Sequence, residues 1–588
     1  MANEQPDLRS AYGSLLDGRL DRRQFMQLAM ALGLSASAAA SMAGMAPASP
    51  ANPGGRRRPN IIVILADDLG FGDLGVMGGE IRTPHIDSIA RNGTLLTSMY
   101  NAARCCPTRA ALLTGLYSHR AGIGHMGANL GTPSYQCYLR EDAATIAEVL
   151  KANGYRTLMA GKWHVGGDLW ATRVSSWRLG DPDRPTPLQR GFDRFYGHVD
   201  GVMHYFSPWA FQDDDREAEI PADFYLTDAI TDAAIGMLEE NAKTDQPFFL
   251  YLAHHAPHWP LHALPEDIER YRGVYSGGWD RLRGARYEEM RQRGILQHPW
   301  ALSPRDPAAP AWDQAPHHGW EADRMAVYAA QVDRMDQQIG RVLQTLKRLG
   351  KYDDTLVMFF SDNGGCAEAM REGGWTQFYP DKTRDGQQIV LGNRPGLAPG
   401  GPTTFQSYDL PWANASNTPF RLFKHFVHEG GISTPLAVQW PALLPPGGIN
   451  HAACHAIDIL PTILDAAGIV PPAELSGRAV REMDGESLLP LLRGKRWQRE
   501  QALHWEHEGN GAIRAGALKL VREHQGDWQL YDMEEDRTEL HNLAPRNRRL
   551  VSRLARQYQR WADRVGVVDW AIQEQKVKAA WGMEDLKG

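Results

Sequence analysis

Three long apolar runs predict strands that are buried on both faces. They are NIIVILADD (60–68), FFLYLA (248–253) and TLVMFFSD (355–362). A shorter run, YRTLMA, lies at 155–160. Runs without polar alternation are typical of parallel strands that helices cover on both sides.

Two amphipathic segments predict helices between these strands. Residues 225–240 and 325–350 carry apolar side chains at helical spacing, and Gly350 is placed to end the second helix. Strands that alternate with helices predict an α/β protein with a mainly parallel sheet.

The pattern changes after residue 450. Residues 455–468 predict a helix, and three short segments at 502–508, 512–523 and 528–534 alternate like strands of a small antiparallel sheet. A polar, arginine-rich helix is expected at about 547–565. We therefore predict a catalytic domain at 59–450 and a C-terminal subdomain at 451–588. The Gly/Pro-rich stretch 364–417 is long for a loop, which favours a functional role.

The N-terminus has the pattern of an export signal. Arg22 and Arg23 precede Phe25, an Ala-rich apolar run follows, and small residues come after it. We interpret residues 1–48 as a twin-arginine signal and 49–58 as a linker, which predicts a periplasmic or secreted protein and the twin-arginine machinery as a partner. A transmembrane anchor is the alternative, but the run is weakly hydrophobic, so no stable membrane insertion is expected.

Charge and cysteine content narrow the function. A formal net charge of −7 gives no reason to expect a nucleic-acid partner. The chain has 5 cysteines, an odd number, and Cys105 and Cys106 are adjacent. Adjacent cysteines rarely bond to each other, so a disulfide framework explains this pair poorly.

Oxygen-donor side chains follow two of the predicted strands. Asp67 and Asp68 end the first run, and Asp362 and Asn363 end the third. In open α/β sheets, ligands gather at the carboxyl ends of the strands. Several carboxylates there favour a hard cation, Ca²⁺ or Mg²⁺. Each pair taken alone could instead cap the next turn.

Cationic and imidazole side chains follow other strand ends and loops. Lys162 and His164 lie in GKWH, His258 in APHWP, Lys424 in KHFVHEGG, and Arg109 follows the cysteine pair. Together near a bound cation they would form an anion site. The remaining conspicuous histidines are interpreted as structural, with a place at the pocket rim left open for one of them: His119, His125, His254, His255 and His428.

These motifs resemble one family. Residues 105–115 (CCPTRAALLTG) are similar to the sulfatase signature C-x-P-x-R-x4-T-G. The segments NIIVILADDLG, GKWH, APHWP, FFSDNGG and K-x4-EGG follow the family's order, from about residue 58 to 544. The chain most resembles bacterial arylsulfatases, notably at 405–431. The resemblance implies an alkaline-phosphatase-like fold, a large sheet sandwiched by helices.

The resemblance also implies a mechanism. In this family the signature cysteine, here Cys105, is converted to formylglycine by a generating enzyme, and the aldehyde hydrate offers two hydroxyls on one carbon. One Ca²⁺ per chain is implied at Asp67, Asp68, Asp362, Asn363 and residue 105. The other roles implied are orientation of the hydrate by Arg109 and Lys162, a base at His164, and sulfate binding by His258 and Lys424, one of which assists the leaving oxygen.

The implied substrates are aryl or carbohydrate sulfate esters. The alternatives are a phosphonate or phosphodiester hydrolase on the same fold, an inactive sulfated-glycan-binding protein, and a redox or soft-metal protein built on Cys105 and Cys106. Segments 166–190, 201–215 and 364–417 are expected to shape the alcohol side of the pocket. Candidate platforms for a ring are Trp170, Trp177 and Trp209.

Overall fold

The computed structural model describes residues 58–167, 180–181, 184–371 and 379–582. The strands within these residues are β1 (Asn60–Ala66), β2 (Thr94–Tyr100), β3 (Arg156–Lys162), β4 (Arg194–His198), β5 (Phe211–Asp213), β6 (Arg216–Glu217), β7 (Phe248–Ala253), β8 (Thr355–Ser361), β9 (Val390–Leu391), β10 (Thr404–Phe405), β11 (Ser433–Gln439), β12 (Ile449–Asn450), β13 (Cys454–His455), β14 (Glu474–Leu475), β15 (Arg478–Ala479), β16 (Leu503–His507), β17 (Asn510–Ala515), β18 (Leu518–Arg522) and β19 (Gln529–Asp532).

The helices lie between and after the strands. In chain order they are α1 (Pro84–Arg91), α2 (Cys105–Thr114), α3 (Ser118–Ala121), α4 (Ile146–Ala152), α5 (Leu226–Asn241), α6 (Pro265–Glu269), α7 (Gly278–Gln292), α8 (His318–Arg348), α9 (Asp409–Ser416), α10 (Glu429–Ile432), α11 (Ile459–Ala467), α12 (Leu489–Leu492), α13 (Arg548–Val565) and α14 (Trp570–Trp581). Short 3-10 turns lie at Gly75–Met77, Leu188–Arg190, Trp312–Gln314, Ala456–Asp458 and Ala544–Arg546.

One large sheet forms the centre of the molecule. Its order is β12-β2-β11-β8-β1-β7-β3-β4-β5-β6, and β13 also pairs with β2. The block β8-β1-β7-β3-β4 is parallel, whereas β11 is antiparallel to both of its neighbours. The predicted α/β class with a mainly parallel sheet is confirmed. Because the parallel strands all end at one edge, residues that follow them share that edge.

Strand β1 shows why its run lacks polar alternation. Ile61 and Val63 belong to the hydrophobic core on one face of the sheet, and Ile62 and Ile64 belong to the core on the other. All four side chains are buried. A strand covered on both sides needs apolar side chains at every position.

The helix predicted at 325–350 begins earlier, at His318, and ends at Arg348. Its first turns, HGWEADR, carry few apolar side chains, so the hydrophobic stripe marks only the later part of the helix. Gly350 lies two residues beyond the end with a φ of 64°, the left-handed conformation that commonly follows a helix.

The C-terminal sheet has the order β16-β17-β18-β19 and is antiparallel throughout. The segment 512–523, expected as one strand, instead forms a hairpin that turns at Gly516, whose φ is 62°. Leu503, Ile513 and Leu520 belong to the same hydrophobic core as helix α2. Trp505 Nε1 of this sheet donates to the Asn101 carbonyl at 2.8 Å, which ties the sheet to the segment just before the cysteine pair. The boundary at residue 450 stays a prediction.

Four buried charged side chains join the C-terminal region to the main sheet, and we call Glu429, Lys519, Arg537 and Glu539 the interior ion network. Lys519 Nζ lies 2.8 Å from Glu429 Oε1 and 2.9 Å from Glu539 Oε1. Arg537 Nε donates to Glu429 Oε2 at 2.8 Å. Burial raises the pKa of Glu429, but Lys519 and Arg537 outweigh it and lower this pKa to about 2.

Within the described residues, the helices do not include one that is long and apolar enough to cross a membrane. The predicted export signal, nearly all of the linker, Trp170 and Trp177 lie outside the described residues.

Candidate active site

Two acidic residues follow β1 at the edge where the parallel strands end. Asp67 and Asp68 are buried, and the backbone of Asp68 turns with a φ of 66°. The Asp68 N–H donates to Asp362 Oδ1 at 3.3 Å, so the turn is tied to the end of the neighbouring strand β8. The strand register therefore brings together carboxylates that are far apart in sequence.

Asn363 completes this set of oxygen-bearing side chains. Its Nδ2 donates to Asp68 Oδ1 at 2.6 Å and to the Gly364 carbonyl at 2.9 Å. Its Oδ1 is buried without a hydrogen-bond partner, as is Oδ1 of Asp67. Buried oxygens that are left unpaired are costly, and ligating a hard cation would satisfy both. The donor set thus fits Ca²⁺.

Three cationic side chains surround the carboxylates. Lys162 Nζ lies 2.5 Å from Asp67 Oδ2, and Arg109 Nη2 lies 2.7 Å from Asp362 Oδ2. Lys424 Nζ lies 3.0 Å from Asp68. We call these six charged residues together with Asn363 the catalytic cluster. Its members come from the ends of three strands, β1, β3 and β8, from helix α2 and from the loop before α10.

Electrostatics within the catalytic cluster favour an added cation. Burial and the charge of Asp67 raise the pKa of Asp362 well above its usual range, against the lowering effect of Arg109. Two neighbouring carboxylates resist ionising together in a dry site, and a divalent cation relieves that repulsion.

Cys105 is the first residue of helix α2 and is 1% exposed. Burial raises the pKa of its thiol, but a hydrogen bond with Cys106 and the charges of His164 and Lys162 outweigh it and hold this pKa well below its usual range. A helix N-terminus also favours a negative group. Residue 105 therefore occupies a position that stabilises developing negative charge.

His164 lies beside Cys105 on the segment after β3. Its φ is 55°, and burial lowers the pKa of its imidazole below the usual range, while the charge of Cys105 and a hydrogen bond with it oppose that shift. Gly201 packs against the imidazole so closely that a Cβ there would lie 2.6 Å from His164 Nε2. The ring is thus held between the cysteine and a residue without a side chain.

His258 contacts two members of the catalytic cluster. Its Nε2 lies 3.4 Å from both Asp68 Oδ2 and Lys424 Nζ. Its Nδ1 lies 2.6 Å from the Trp259 carbonyl, which fixes the proton on Nδ1 and leaves Nε2 facing the site. Burial, followed by the charge of Lys424, lowers the pKa of His258 to about 3, so the ring is neutral.

The structure places two further residues beside the catalytic cluster and Cys105. His255, interpreted as structural, places Nδ1 3.8 Å from Asp67 Oδ2. Arg104 is buried beside Cys105 and pairs with Glu368 at 3.2 Å and Glu508 at 3.6 Å. The arginine was visible next to the signature, but its two partners depend on loop paths that periodicity does not report.

Other residues named in the sequence analysis make contacts within the protein core or with neighbouring side chains. All 5 cysteines are buried free thiols, including Cys106. Trp209 donates from Nε1 to Asp200 Oδ2 at 3.4 Å and packs against Tyr379, with ring centroids 6.1 Å apart. This tryptophan is thus placed by contacts within the chain.

Comparison with known proteins identifies relatives over most of the chain. A family model described as Sulfatase matches residues 59–469, and one described as N-sulphoglucosamine sulphohydrolase, C-terminal, matches 420–563. An uncharacterized sulfatase of Schizosaccharomyces pombe is 33% identical, over 87% of this chain and 95% of its own length. An arylsulfatase of Klebsiella aerogenes is 31% identical, over 79% and 98%.

Comparison with solved structures also identifies proteins of similar fold. The crystal structure of Ps i-CgsB in complex with k-i-k-neocarrahexaose has a TM-score of 0.62 and 26% identity, and covers 86% of this chain and 93% of that one.

Proposed function

The chain belongs to the sulfatase family and is a sulfuric ester hydrolase, and from this premise we propose that it cleaves aryl or carbohydrate sulfate esters with a formylglycine made from Cys105 and one bound Ca²⁺. The observation that carries the proposal is the pair of unpartnered buried oxygens, Asp67 Oδ1 and Asn363 Oδ1, in a carboxylate cluster around a cysteine at a helix N-terminus. The solved relative in complex with a neocarrahexaose supports carbohydrate sulfates as one substrate class.

The proposal assigns the implied groups to residues of the catalytic cluster. Asp67, Asp68, Asp362 and Asn363 would hold Ca²⁺ together with residue 105. The cation would neutralise sulfate oxygens and lower the pKa of a nearby hydroxyl, and the hydrated aldehyde would supply a nucleophilic hydroxyl and a second one for product release.

Other residues of the chain would orient residue 105 and accept its proton. Arg109 Nη1 donates to the Lys162 carbonyl at 3.0 Å, so the two cations that face the carboxylates are braced against each other and can orient the side chain of residue 105. His164 lies where it can take a proton from that side chain.

Lys424 and His258 lie on the side where the sulfate and the leaving oxygen would bind. Burial lowers the pKa of Lys424, but Asp68, Cys366 and Glu368 raise it well above its usual range, so the side chain stays an ammonium. It can bind a sulfate oxygen and stabilise the leaving oxygen by a charge-assisted hydrogen bond. Neutral His258 can accept one of its protons at Nε2.

The first experiment is the mass of a peptide that spans residue 105, in protein from its native host. A protease that does not cut at arginine is needed, because Arg104 and Arg109 flank the motif. We expect the deficit for exchange of a thiol for an aldehyde. An intact thiol that persists after treatment with a formylglycine-generating enzyme would refute the assignment.

Substrate and cation are tested on the same preparation. We expect turnover of 4-nitrophenyl sulfate to exceed that of the matching phenylphosphonate ester; the reverse would favour the phosphonate hydrolase. Ca²⁺ is expected to raise the Tm of the chelated wild type but not that of Asp67→Asn. An equal rise in both would argue against this cation site.

Export is proposed separately, on the pattern around Arg22 and Arg23. Cell fractionation should find the mature protein in the periplasm or medium, and changing both arginines to lysine should retain it in the cytoplasm. Export of the double variant at wild-type level would contradict a twin-arginine route.

A further inference from the structure

One carboxylate at the rim of the site contacts three separate loops. Glu368 follows the strand-end residues Asp362 and Asn363, and its side chain is 29% exposed. Its Oε2 accepts from Trp259 Nε1 at 2.9 Å, and its Oε1 lies 2.9 Å from His425 Nε2. Oε1 also lies 3.2 Å from Arg104 Nη2.

Each of these partners is the sequence neighbour of a residue in the proposed machinery. Arg104 precedes Cys105, Trp259 follows His258, and His425 follows Lys424. Glu368 therefore connects the nucleophile position, the neutral imidazole and the sulfate-binding ammonium without itself belonging to the catalytic cluster.

The connected segments are loops with unusual backbone conformations. Ala103, just before Arg104, has a φ of 63°, and His425 has a φ of 82°. Such conformations in residues other than glycine cost energy and persist only where surrounding contacts fix them. The His425 N–H donates to the Ala103 carbonyl at 2.9 Å, so two of the loops also touch directly.

The charge of Glu368 suits this connecting role. Burial raises its pKa, but Lys424, Arg104 and His425 outweigh it and hold the pKa well below its usual range. Glu368 Oε2 lies 3.8 Å from Lys424 Nζ, so it also attracts the ammonium directly. The carboxylate thus sets the position of Lys424 both through the neighbouring residue and directly.

We infer that Glu368 is a positioning residue for sulfate-ester hydrolysis, which holds Cys105, His258 and Lys424 in register through Arg104, Trp259 and His425. The inference rests on the proposed function. Misplacing a reacting group by about 1 Å can cost on the order of 10²-fold in rate. Loss of a residue that fixes three loops is therefore expected to lower the rate strongly.

A second carboxylate provides a matched control. Glu508 contacts Arg104 and His425, the latter at 2.9 Å, but its remaining partners are His125 and His507, away from Trp259 and Lys424. Its side chain is 23% exposed, similar to that of Glu368. Glu508→Gln removes one charge from the same group of residues while the contacts to Trp259 and Lys424 stay.

The test compares wild type, Glu368→Gln and Glu508→Gln on aryl sulfates whose leaving phenols range from activated to unactivated. We expect Glu368→Gln to lower kcat by about 10-fold to 10²-fold with little change in KM, because alignment matters most in the transition state. The loss should grow as the leaving group becomes more basic, since Lys424 stabilises that oxygen. Glu508→Gln should lose less than about 3-fold at every leaving group.

A merely structural role predicts a different result. Glu368→Gln would then lower the Tm and reduce kcat by one common factor for all substrates, and that outcome, like an unchanged kcat, overturns the inference. Should the variant not fold, Trp259→Phe removes only the indole donor, and an unchanged leaving-group dependence in it overturns the inference as well. A wild type without turnover of any sulfate ester would refute the proposed function first, and the positioning role with it.

Discussion

The catalytic cluster and the interior ion network both bury charged side chains, but they use them differently. In the network, Glu429 places each carboxylate oxygen 2.8 Å from a cation. In the cluster, Asp67 Oδ1 and Asn363 Oδ1 are left without a hydrogen-bond partner. Glu539 Oε1 of the network also accepts no hydrogen bond, but it lies 2.9 Å from Lys519 Nζ, so the chain itself supplies a cation beside it. The two oxygens of the cluster are ones that a bound cation would satisfy.

The summed formal charge of the catalytic cluster indicates what it could bind. The cluster contains three aspartates and three cationic residues, so its side chains sum to zero. A divalent cation alone or a sulfate dianion alone would unbalance that sum, but the two together would not. We therefore expect cation and sulfate to strengthen each other's binding, and linkage requires the factor to be the same for both. Variants in the cluster should cost activity, and variants in the network should cost stability.

The largest expected effect is at the nucleophile position. Cys105→Ala should lower kcat on 4-nitrophenyl sulfate by at least about 10⁴-fold, because the covalent route is lost. Its Tm should stay close to that of wild type. The adjacent Cys106→Ala is the matched control and should keep most of the activity. Loss of fold in Cys105→Ala would break the division between the two regions.

The next effect is on stability. Glu429→Gln should destabilise the protein by about 3–5 kcal/mol, since Lys519 and Arg537 would remain buried with a weakened partner. Denaturant unfolding measures this, and kcat per folded molecule should stay unchanged. The exposed pair Glu288–Arg291 gives the control, because Glu288→Gln should leave the free energy of unfolding nearly unchanged. A lower kcat in folded Glu429→Gln would contradict the expectation that the network affects stability alone.

The pH dependence of stability tests whether the charge of Glu429 stabilises the network. The pKa of Glu429 is lowered to about 2 in the folded protein, below that of an unfolded glutamate. Its contribution is therefore present above the unfolded pKa of about 4.3 and is lost as pH falls through the folded pKa. The difference in unfolding free energy between wild type and Glu429→Gln should shrink across that window. A difference that stays constant down to pH 2 would exclude this carboxylate as its source.

The smallest effect is expected beside the cluster. Gly201→Ala should push the His164 ring aside and lower kcat by roughly 10-fold, with little change in Tm. On helix α5, Gly236 has no atom within 4 Å of an added Cβ. Gly236→Ala should therefore leave kcat unchanged and stabilise the protein by about 1 kcal/mol. Equal activity of both variants would show that the ring position is not critical.

The sequence predicted the elements whose burial is uniform. Strands β1, β7 and β8 match their apolar runs, apart from the polar residues at the ends of two of those runs. It did not predict the hairpin turn at Gly516 or helix α14, because short amphipathic segments fit more than one element.

The same limit applies to the site. The four oxygen donors could be placed near one another because parallel strands share an edge. Glu368 and Glu508 could not, because their positions depend on the paths of loops and of a C-terminal hairpin. The family resemblance supplied roles for single residues, but the contacts among their neighbours came only from the three-dimensional structure.

Helix α2 and the C-terminal sheet share one hydrophobic core, and this limits when Cys105 can be modified. Cys105 is 1% exposed, and the strands that contribute to its core continue as far as Tyr531. Roughly 400 residues separate the two, which a ribosome adding about 5–20 residues per second synthesises in about 20–80 s. An enzyme that alters Cys105 must reach it during synthesis or before the last strands dock. Slower translation of the C-terminal third should therefore raise the yield of modified protein.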